Sequence, residues 1–150
     1  SQNLPQTSQP SIGKFQAAYE DIRTHYPDAE ILSIREDSTN CGDGYYYEGL
    51  TIETDKGLIK LVIEDGQNCC EQWGALFFET PDNISQFIGA KILEIQDIDV
   101  QREDGADNET QLRITTDRGI IQYAIYNEHN GYYSHATIKQ VFDNIVHSSL

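Results

Sequence analysis

Two polar stretches combine the residue types from which catalytic, metal-binding and recognition sites are built. Residues 127–135 read Asn-Glu-His-Asn-Gly-Tyr-Tyr-Ser-His, and residues 65–73 read Asp-Gly-Gln-Asn-Cys-Cys-Glu-Gln-Trp. Each stretch follows an apolar, strand-like run. Together they supply thiols, imidazoles, carboxylates and aromatic rings. We take the following residues as one candidate binding site: Asn68, Cys69, Cys70, Glu71, Trp73, Glu128, His129, Asn130, Tyr132, Tyr133 and His135.

The residue types in these stretches could form a zinc site or a thiolate nucleophile, but their spacing matches no known motif. Cysteine and histidine bind zinc, and a glutamate can complete four-coordination. However, Cys69 and Cys70 are adjacent, no Cys-x-x-Cys pair occurs, and His129 and His135 follow no ligand motif. A thiolate nucleophile needs a neighbouring base, and the acidic surroundings oppose its formation. We therefore predict no cofactor, with zinc as the alternative.

A structural role is the competing interpretation of the same residues. Asn127, Asn130 and Gly131 are turn formers that bond to their own backbone. The histidines can cap backbone carbonyls, and Cys69 or Cys70 can serve as a small core residue. On this interpretation the two stretches are loops that shape a binding surface for a peptide or a small molecule.

An internal repeat must position both stretches. The segment 50–63 aligns without gaps with the segment 112–125, and seven of the fourteen residues are identical. Upstream, residues 29–34 match residues 90–95 at four of six positions. The repeat places Asn68–Trp73 over Asn130–His135, and we interpret it as a duplication. Two loops related by a pseudo-twofold axis would face each other and assemble one site from both halves.

Each half of the repeat has the alternation of apolar and polar residues that is typical of β-strands. Asp55-Lys56-Gly57 and Asp117-Arg118-Gly119 predict tight hairpin turns, in which glycine supplies a positive φ. A last strand is expected at Gly74–Glu79 in the first half and at His135–Phe142 in the second. The triplet Tyr45-Tyr46-Tyr47 predicts a strand start with an exposed aromatic edge, which could belong to a contact surface.

The predicted fold class is α+β and β-rich. Residues 1–10 are expected to form a mobile tail, and residues 11–150 a single domain. Within it, Phe15, Ala18, Tyr19 and Ile22 have helical spacing, which predicts a helix over residues 11–26. Repeat one covers residues 29–79 and repeat two covers residues 90–142. The duplicated four-stranded antiparallel units would form one sheet, a sandwich or a small barrel.

Charge and cysteine content bound the partners. Twenty-five acids against ten bases give a net charge of −15, and twelve of the acids lie between Glu64 and Glu109. Such a field repels nucleic acids and anionic membranes and attracts basic proteins. No apolar run is long enough to span a bilayer. Three cysteines, an odd number, and the lack of a visible signal sequence favour the cytoplasm.

Several motifs resemble those of an uncharacterised family of bacterial and phage proteins, a domain of unknown function. The motifs are Asn68–Gly74, Phe87–Ala90, Thr115–Gly119 and Asn127–His135, and the similarity spans about residues 29–138. The resemblance implies a prokaryotic or phage setting and no established activity. We predict a non-enzymatic acidic interaction module whose partner could be a basic protein. A metal- or thiol-dependent enzyme centred on residues 68–73 and 127–135 is one alternative, and an acidic inhibitor of a nucleic-acid-binding protein is another.

Overall fold

The structure, a computed structural model, describes residues 9–12, 28–40, 45–66, 72–79, 84–101, 107–128 and 134–150. This part of the chain forms ten β-strands and one 3-10 turn (Ile84–Phe87), and it contains no α-helix. The strands are β1 (Gln9–Ile12), β2 (Ile31–Asn40), β3 (Tyr46–Thr54), β4 (Gly57–Glu64), β5 (Gln72–Glu79), β6 (Ile92–Gln101), β7 (Asp107–Thr116), β8 (Gly119–Glu128), β9 (Ala136–Val141) and β10 (Asn144–Ser149).

The prediction of an α+β fold with an N-terminal helix over residues 11–26 is wrong, because the described chain is almost entirely β. Ser11 and Ile12, where that helix should begin, lie in β1, which pairs antiparallel with β6. Pairing with the edge of β6 satisfies backbone groups that a helix would otherwise have satisfied. Residues 13–26 of the predicted helix lie outside the described ranges. Pro10 is tolerated because β1 is an edge strand.

The strands form two five-stranded antiparallel sheets. One sheet has the order β1-β6-β7-β8-β5, and the other has the order β10-β9-β4-β3-β2. The last strand of each half of the chain crosses over to the other sheet. Thus β5 pairs with β8 of the second half, and β9 pairs with β4 of the first half. The consecutive strands β4 and β5 therefore lie in different sheets, and so do β8 and β9. We call the chain segments between them, residues 65–71 and 129–135, the crossover connections.

The inward faces of both sheets share one hydrophobic core. Alternate residues of the central strands are fully buried there, namely Ile59, Leu61 and Ile63 in β4 and Ile121, Tyr123 and Ile125 in β8. Each such side chain contributes roughly 1.5–3 kcal/mol through its removal from water. The period-2 pattern of the sequence thus places these side chains on the inward faces, and a second, smaller buried cluster of Tyr47, Val62 and Ile138 lies apart from this core.

The two sheets are also joined by backbone at the corner where β2 and β6 begin. The amide of Ile31 donates to the carbonyl of Ala90, and the amide of Ile92 donates to the carbonyl of Ala29, each at 2.9 Å. These reciprocal bonds fix the start of each half against the other. They hold one corner of the two sheets closed.

The two hairpin turns have matching internal bonds. Thr54 Oγ1 donates to the Gly57 carbonyl, and Thr116 Oγ1 donates to the Gly119 carbonyl, both at 2.8 Å. The two glycines have φ values of +145° and +130°, which other residues rarely adopt. The hairpins are therefore formed where the sequence predicts them.

No helix of the described residues is long and apolar enough to cross a membrane.

Candidate functional site

The structure describes three of the eleven predicted site residues. Outside the described ranges lie Asn68, Cys69, Cys70, Glu71, His129, Asn130, Tyr132 and Tyr133. Glu128 is the last residue of β8, where its backbone pairs with Gln72. Trp73 and His135 are described with their side chains, and they carry what the structure says of the predicted site.

Trp73 and His135, which are equivalent positions of the repeat, lie next to each other. Their ring centroids are 5.4 Å apart, with an angle of 37° between the planes. Trp73 points from β5 towards the core, and His135 is fully buried just before β9. The ends of the two crossover connections therefore converge. Among the described residues, the buried indole N–H of Trp73 finds no acceptor.

His135 is held in place by the strand that precedes the other crossover. Its Nδ1 lies 2.6 Å from the carbonyl oxygen of Glu64 and 3.4 Å from the Oε1 of the same residue. Because a carbonyl only accepts hydrogen bonds, Nδ1 carries the hydrogen. The backbone of His135 also exchanges two 2.9 Å bonds with Leu150. This geometry makes His135 a buried cap of a backbone carbonyl that ties β4 to β9.

Asn127 extends the same polar cluster to the opposite sheet. It is fully buried near the end of β8, directly across from Trp73 in the strand register. Its Nδ2 donates to the Leu150 carbonyl at 3.1 Å. A side chain of one sheet thus bonds to the backbone beside the other sheet. This cluster has a structural role, because it joins the two sheets at the end where β4 and β8 finish.

A second polar cluster, absent from the predicted site, lies between the sheets. Lys139 of β9 donates from Nζ to the carboxylate of Asp97 in β6 and to the hydroxyl of Thr110 in β7. The exposed fractions of these residues are 8%, 2% and 6%, so a charged pair is buried between the sheets. Burying two charges is costly unless they neutralise each other, and here they do.

A cavity of about 110 Å³ adjoins this ion pair. Its lining consists of Asp97, Thr110, Thr137, Lys139, Val146, Ser148 and Leu150. The volume is well below the roughly 300–1,000 Å³ typical of sites for small organic molecules. The cavity is large enough for about three water molecules, at roughly 30 Å³ each. Its dimensions suit hydration of the ion pair better than substrate binding.

The sequence carries a signal for the buried pair that residue type alone does not reveal. Asp97 follows Ile95 with strand spacing, and Lys139 lies between Thr137 and Val141 with the same spacing. Alternation therefore directs both charged side chains to the face that Ile95 and Val141 bury. A charge at an inward strand position requires a partner of opposite charge. Which strand supplies that partner depends on how the two sheets face each other.

A third arrangement lies at the margin of the sheet formed by β2, β3 and β4. The phenol of Tyr123, from the opposite sheet, donates to Glu36 Oε2 at 2.7 Å. Burial raises the pKa of Tyr123 well above its ordinary value, and the bond to Glu36 and the charges of Glu36 and Glu48 act in the same direction. The phenol therefore stays protonated, and it orients the Glu36 carboxylate at the surface.

Two exposed tyrosines lie beside these carboxylates. Tyr45 and Tyr46 are 59% and 58% exposed, whereas Tyr47 is buried. Tyr46 and Glu48 point to the same side of β3 because they are two residues apart, and Glu48 is exposed. Glu36 of β2 is a diagonal neighbour of Glu48 in the strand register. We call the surface formed by Glu36, Tyr46 and Glu48 the acidic aromatic edge, and Tyr45 directly precedes it in the chain.

Within the described ranges, no group of three or more His, Cys, Asp or Glu side chains is arranged to hold a metal ion. The cysteines and His129, on which the zinc alternative depends, are outside those ranges. Zinc at residues 68–73 and 127–135 therefore stays an alternative.

Comparison with known proteins identifies the family. Residues 45–139 match the family described as a domain of unknown function, DUF7448, and the match covers more than half of the chain. The chain belongs to this family. Searches of curated proteins and of solved structures each found no match. The resemblance to an uncharacterised family is thereby confirmed. The DUF7448 match begins at Tyr45, so it includes Tyr46 and Glu48 of the acidic aromatic edge.

Proposed function

We propose that this DUF7448 protein is a non-enzymatic interaction module that binds a basic segment of a partner protein. The observation that carries the proposal is the acidic aromatic edge. It presents Tyr46, which is more than half exposed, beside two surface carboxylates. Aromatic residues are enriched in protein interfaces, where large exposed rings are buried on binding.

The chemistry of this surface suits arginine and lysine side chains. A guanidinium or ammonium group is attracted to a tyrosine face, an interaction worth about 0.5–1 kcal/mol at exposed sites. The same cation can bond to a carboxylate, and Tyr123 already orients that of Glu36. Each contact is weak by itself, so binding would require several cations along one segment. The net charge of −15 would add long-range attraction and fast association.

We further propose that the protein acts in the cytoplasm of a prokaryote or in a phage-infected cell. The odd number of cysteines supports a reducing compartment. We also propose that the two halves arose by duplication. The sequence identity of the repeats and the matching bonds of the two hairpins support that origin.

Titration with a basic peptide tests the proposal. A fluorescein-labelled peptide of alternating arginine and glycine is titrated with the protein, and its anisotropy is followed at two salt concentrations. We expect saturable binding that weakens at high salt, because exposed charge contacts are screened. Tyr46→Ser and Glu48→Gln should each weaken binding about two- to fivefold, since each removes a contact worth roughly 0.5–1 kcal/mol.

Glu53→Gln is the matched control. Glu53 is an exposed acid of the same strand, but it lies on the opposite side from Glu48. Glu53→Gln changes the net charge by the same amount as Glu48→Gln. It should leave the affinity within about 1.5-fold of the wild type, because it reduces only the long-range attraction. Equal losses from both variants would show that only net charge matters and would contradict the proposal.

A competition experiment with a nucleic-acid-binding protein and DNA or RNA distinguishes an acidic inhibitor of such a protein from a general interaction module. If the natural partner is such a protein, its basic nucleic-acid-binding surface would occupy the acidic aromatic edge. The module would then compete with DNA or RNA for it. Glu48→Gln would reduce this competition, whereas Glu53→Gln would not.

A further inference from the structure

The strand β10 differs from the other sheet edges of the described chain. It pairs with β9 along its whole length, from Asn144 opposite Val141 to Ser149 opposite Ala136. It is the terminal strand of its sheet, so its other backbone edge adjoins no described strand. Five of its six residues are exposed, and Ile145 is 50% exposed.

This edge lacks the features that usually prevent strands from pairing between molecules. Natural edge strands are protected by charged residues or proline. Among the other edges, β2 contains Arg35-Glu36-Asp37, β1 contains Pro10, and the pairing of β5 with β8 has a register shift between Phe77 and Glu79. The β10 sequence, Asn-Ile-Val-His-Ser-Ser, has no proline and no acid, lysine or arginine. An open, uncharged and partly apolar edge is a template for another strand.

We propose that β10 is a homodimerisation edge, on which β10 of a second copy of this chain pairs antiparallel. The charge of the protein favours this occupant. A basic partner gains little at this strand, because none of its six residues is acidic. Two copies of a protein with a net charge of −15 repel each other least where both present neutral side chains.

The geometry of strand pairing fits a twofold dimer. When a strand pairs antiparallel with its own copy, the same residues contribute from both sides, as a closed isologous interface requires. The five-stranded sheet that contains β10 in one copy would join the same sheet of the second copy, which gives one sheet of ten strands across the interface. Each Ile145 would lose part of its exposed surface, and both open backbone edges would gain hydrogen bonds. A six-residue strand buries little area, so we expect a dissociation constant of about 10–100 µM, as for interfaces below roughly 1,200 Å².

Dimerisation through β10 is independent of the proposed function, and the two proposals predict different effects of salt concentration. Dimerisation between like-charged copies should strengthen as salt rises, because repulsion is screened. Binding of a basic peptide should weaken under the same change. The two proposals therefore predict opposite responses to one variable.

Sedimentation velocity of the whole chain over a concentration series tests the proposal. We expect a reversible monomer–dimer equilibrium that strengthens with salt. Ile145→Glu should raise the dissociation constant at least about tenfold, because like charges then meet across the paired strands. Leu76→Glu is the matched control, since Leu76 is an exposed apolar residue of β5, another edge strand. It should leave the equilibrium close to that of the wild type.

Hydrogen exchange provides a second measurement that does not depend on a variant. Amides of β10 should become protected as protein concentration rises, whereas those of β5 should not. A wild type that stays monomeric to about 1 mM, well above the dissociation constant expected of so small an interface, would overturn the proposal. Equal weakening by Ile145→Glu and Leu76→Glu would overturn it as well.

Discussion

Replacing the buried lysine between the sheets should expose how costly an unpaired charge is in this fold. Lys139→Met keeps the length and the apolar stem of the side chain but removes the ammonium group. Asp97 is 2% exposed, so its carboxylate would remain in the core without the cation that neutralises it. The hydroxyl of Thr110 would also lose the donor that it now accepts from.

The expected cost follows from this burial. Removing one partner of a buried ion pair costs about 3–5 kcal/mol, because the remaining charge is uncompensated. Here the adjoining cavity of about 110 Å³ can admit water to Asp97, which places our expectation near the lower end, at about 3 kcal/mol. For a chain of this size that corresponds to a fall of roughly 6–12 °C in the melting temperature.

Urea unfolding of three variants measures this effect. Lys139→Met together with Asp97→Leu removes both charges, so the double variant should return to within about 1 kcal/mol of the wild type. Lys91→Met is the control, because the Lys91–Glu30 pair also joins the two halves but is exposed to solvent. It should leave the free energy of unfolding almost unchanged. Equal effects of Lys139→Met and Lys91→Met, or no recovery in the double variant, would refute the reasoning.

Three further predictions concern other positions, all measured by urea unfolding. Gly49→Ala should cost about 3 kcal/mol or more, because the new Cβ would lie 2.3 Å from a carbonyl oxygen of the neighbouring strand. Gly119→Ala should cost only about 1 kcal/mol, because its new Cβ meets nothing closer than 3.6 Å. Equal costs would contradict this. Since folding raises the pKa of Tyr123, the stability that this residue contributes is complete below about pH 10 and falls as the pH rises further. Tyr123→Phe should therefore cost about 1 kcal/mol at neutral pH, and its free energy of unfolding should decline less steeply at alkaline pH. Parallel curves for the variant and the wild type would contradict the assignment. His135→Phe should cost about 1–3 kcal/mol, because it removes the side chain that bonds to the Glu64 carbonyl. It should also change the fluorescence emission of Trp73, the single tryptophan. An unchanged spectrum would contradict this.

Local patterns of the sequence predict most of the strands and both hairpins. The alternation in residues 50–63 and 112–125 produces β3, β4, β7 and β8, and the glycine turns lie where the sequence predicts them. The last strand expected at Gly74–Glu79 is observed at Gln72–Glu79. These features depend on the period of the side chains and on turn chemistry, both of which are local.

Features that depend on tertiary pairing could not be predicted in the same way. The strands β5 and β9 each join the sheet of the other half, and an alternating pattern is satisfied by either partner. The segment expected to begin a helix at Ser11 instead forms a strand, because β6 offers an open edge. The pair formed by Lys139 and Asp97 likewise arises only when two particular strands face each other.

Chemical-shift mapping of the ¹⁵N-labelled protein with the arginine–glycine peptide tests the central proposal most directly. We predict that the largest amide shifts occur at Glu36 and at residues 45–48, that they saturate together, and that Glu48→Gln reduces them. The core strand β8 should change little, apart from Tyr123, whose phenol bonds to Glu36. Shifts spread evenly over all acidic surfaces, or shifts confined to the opposite side of β3 around Glu53, would contradict the assignment of the acidic aromatic edge as the binding surface.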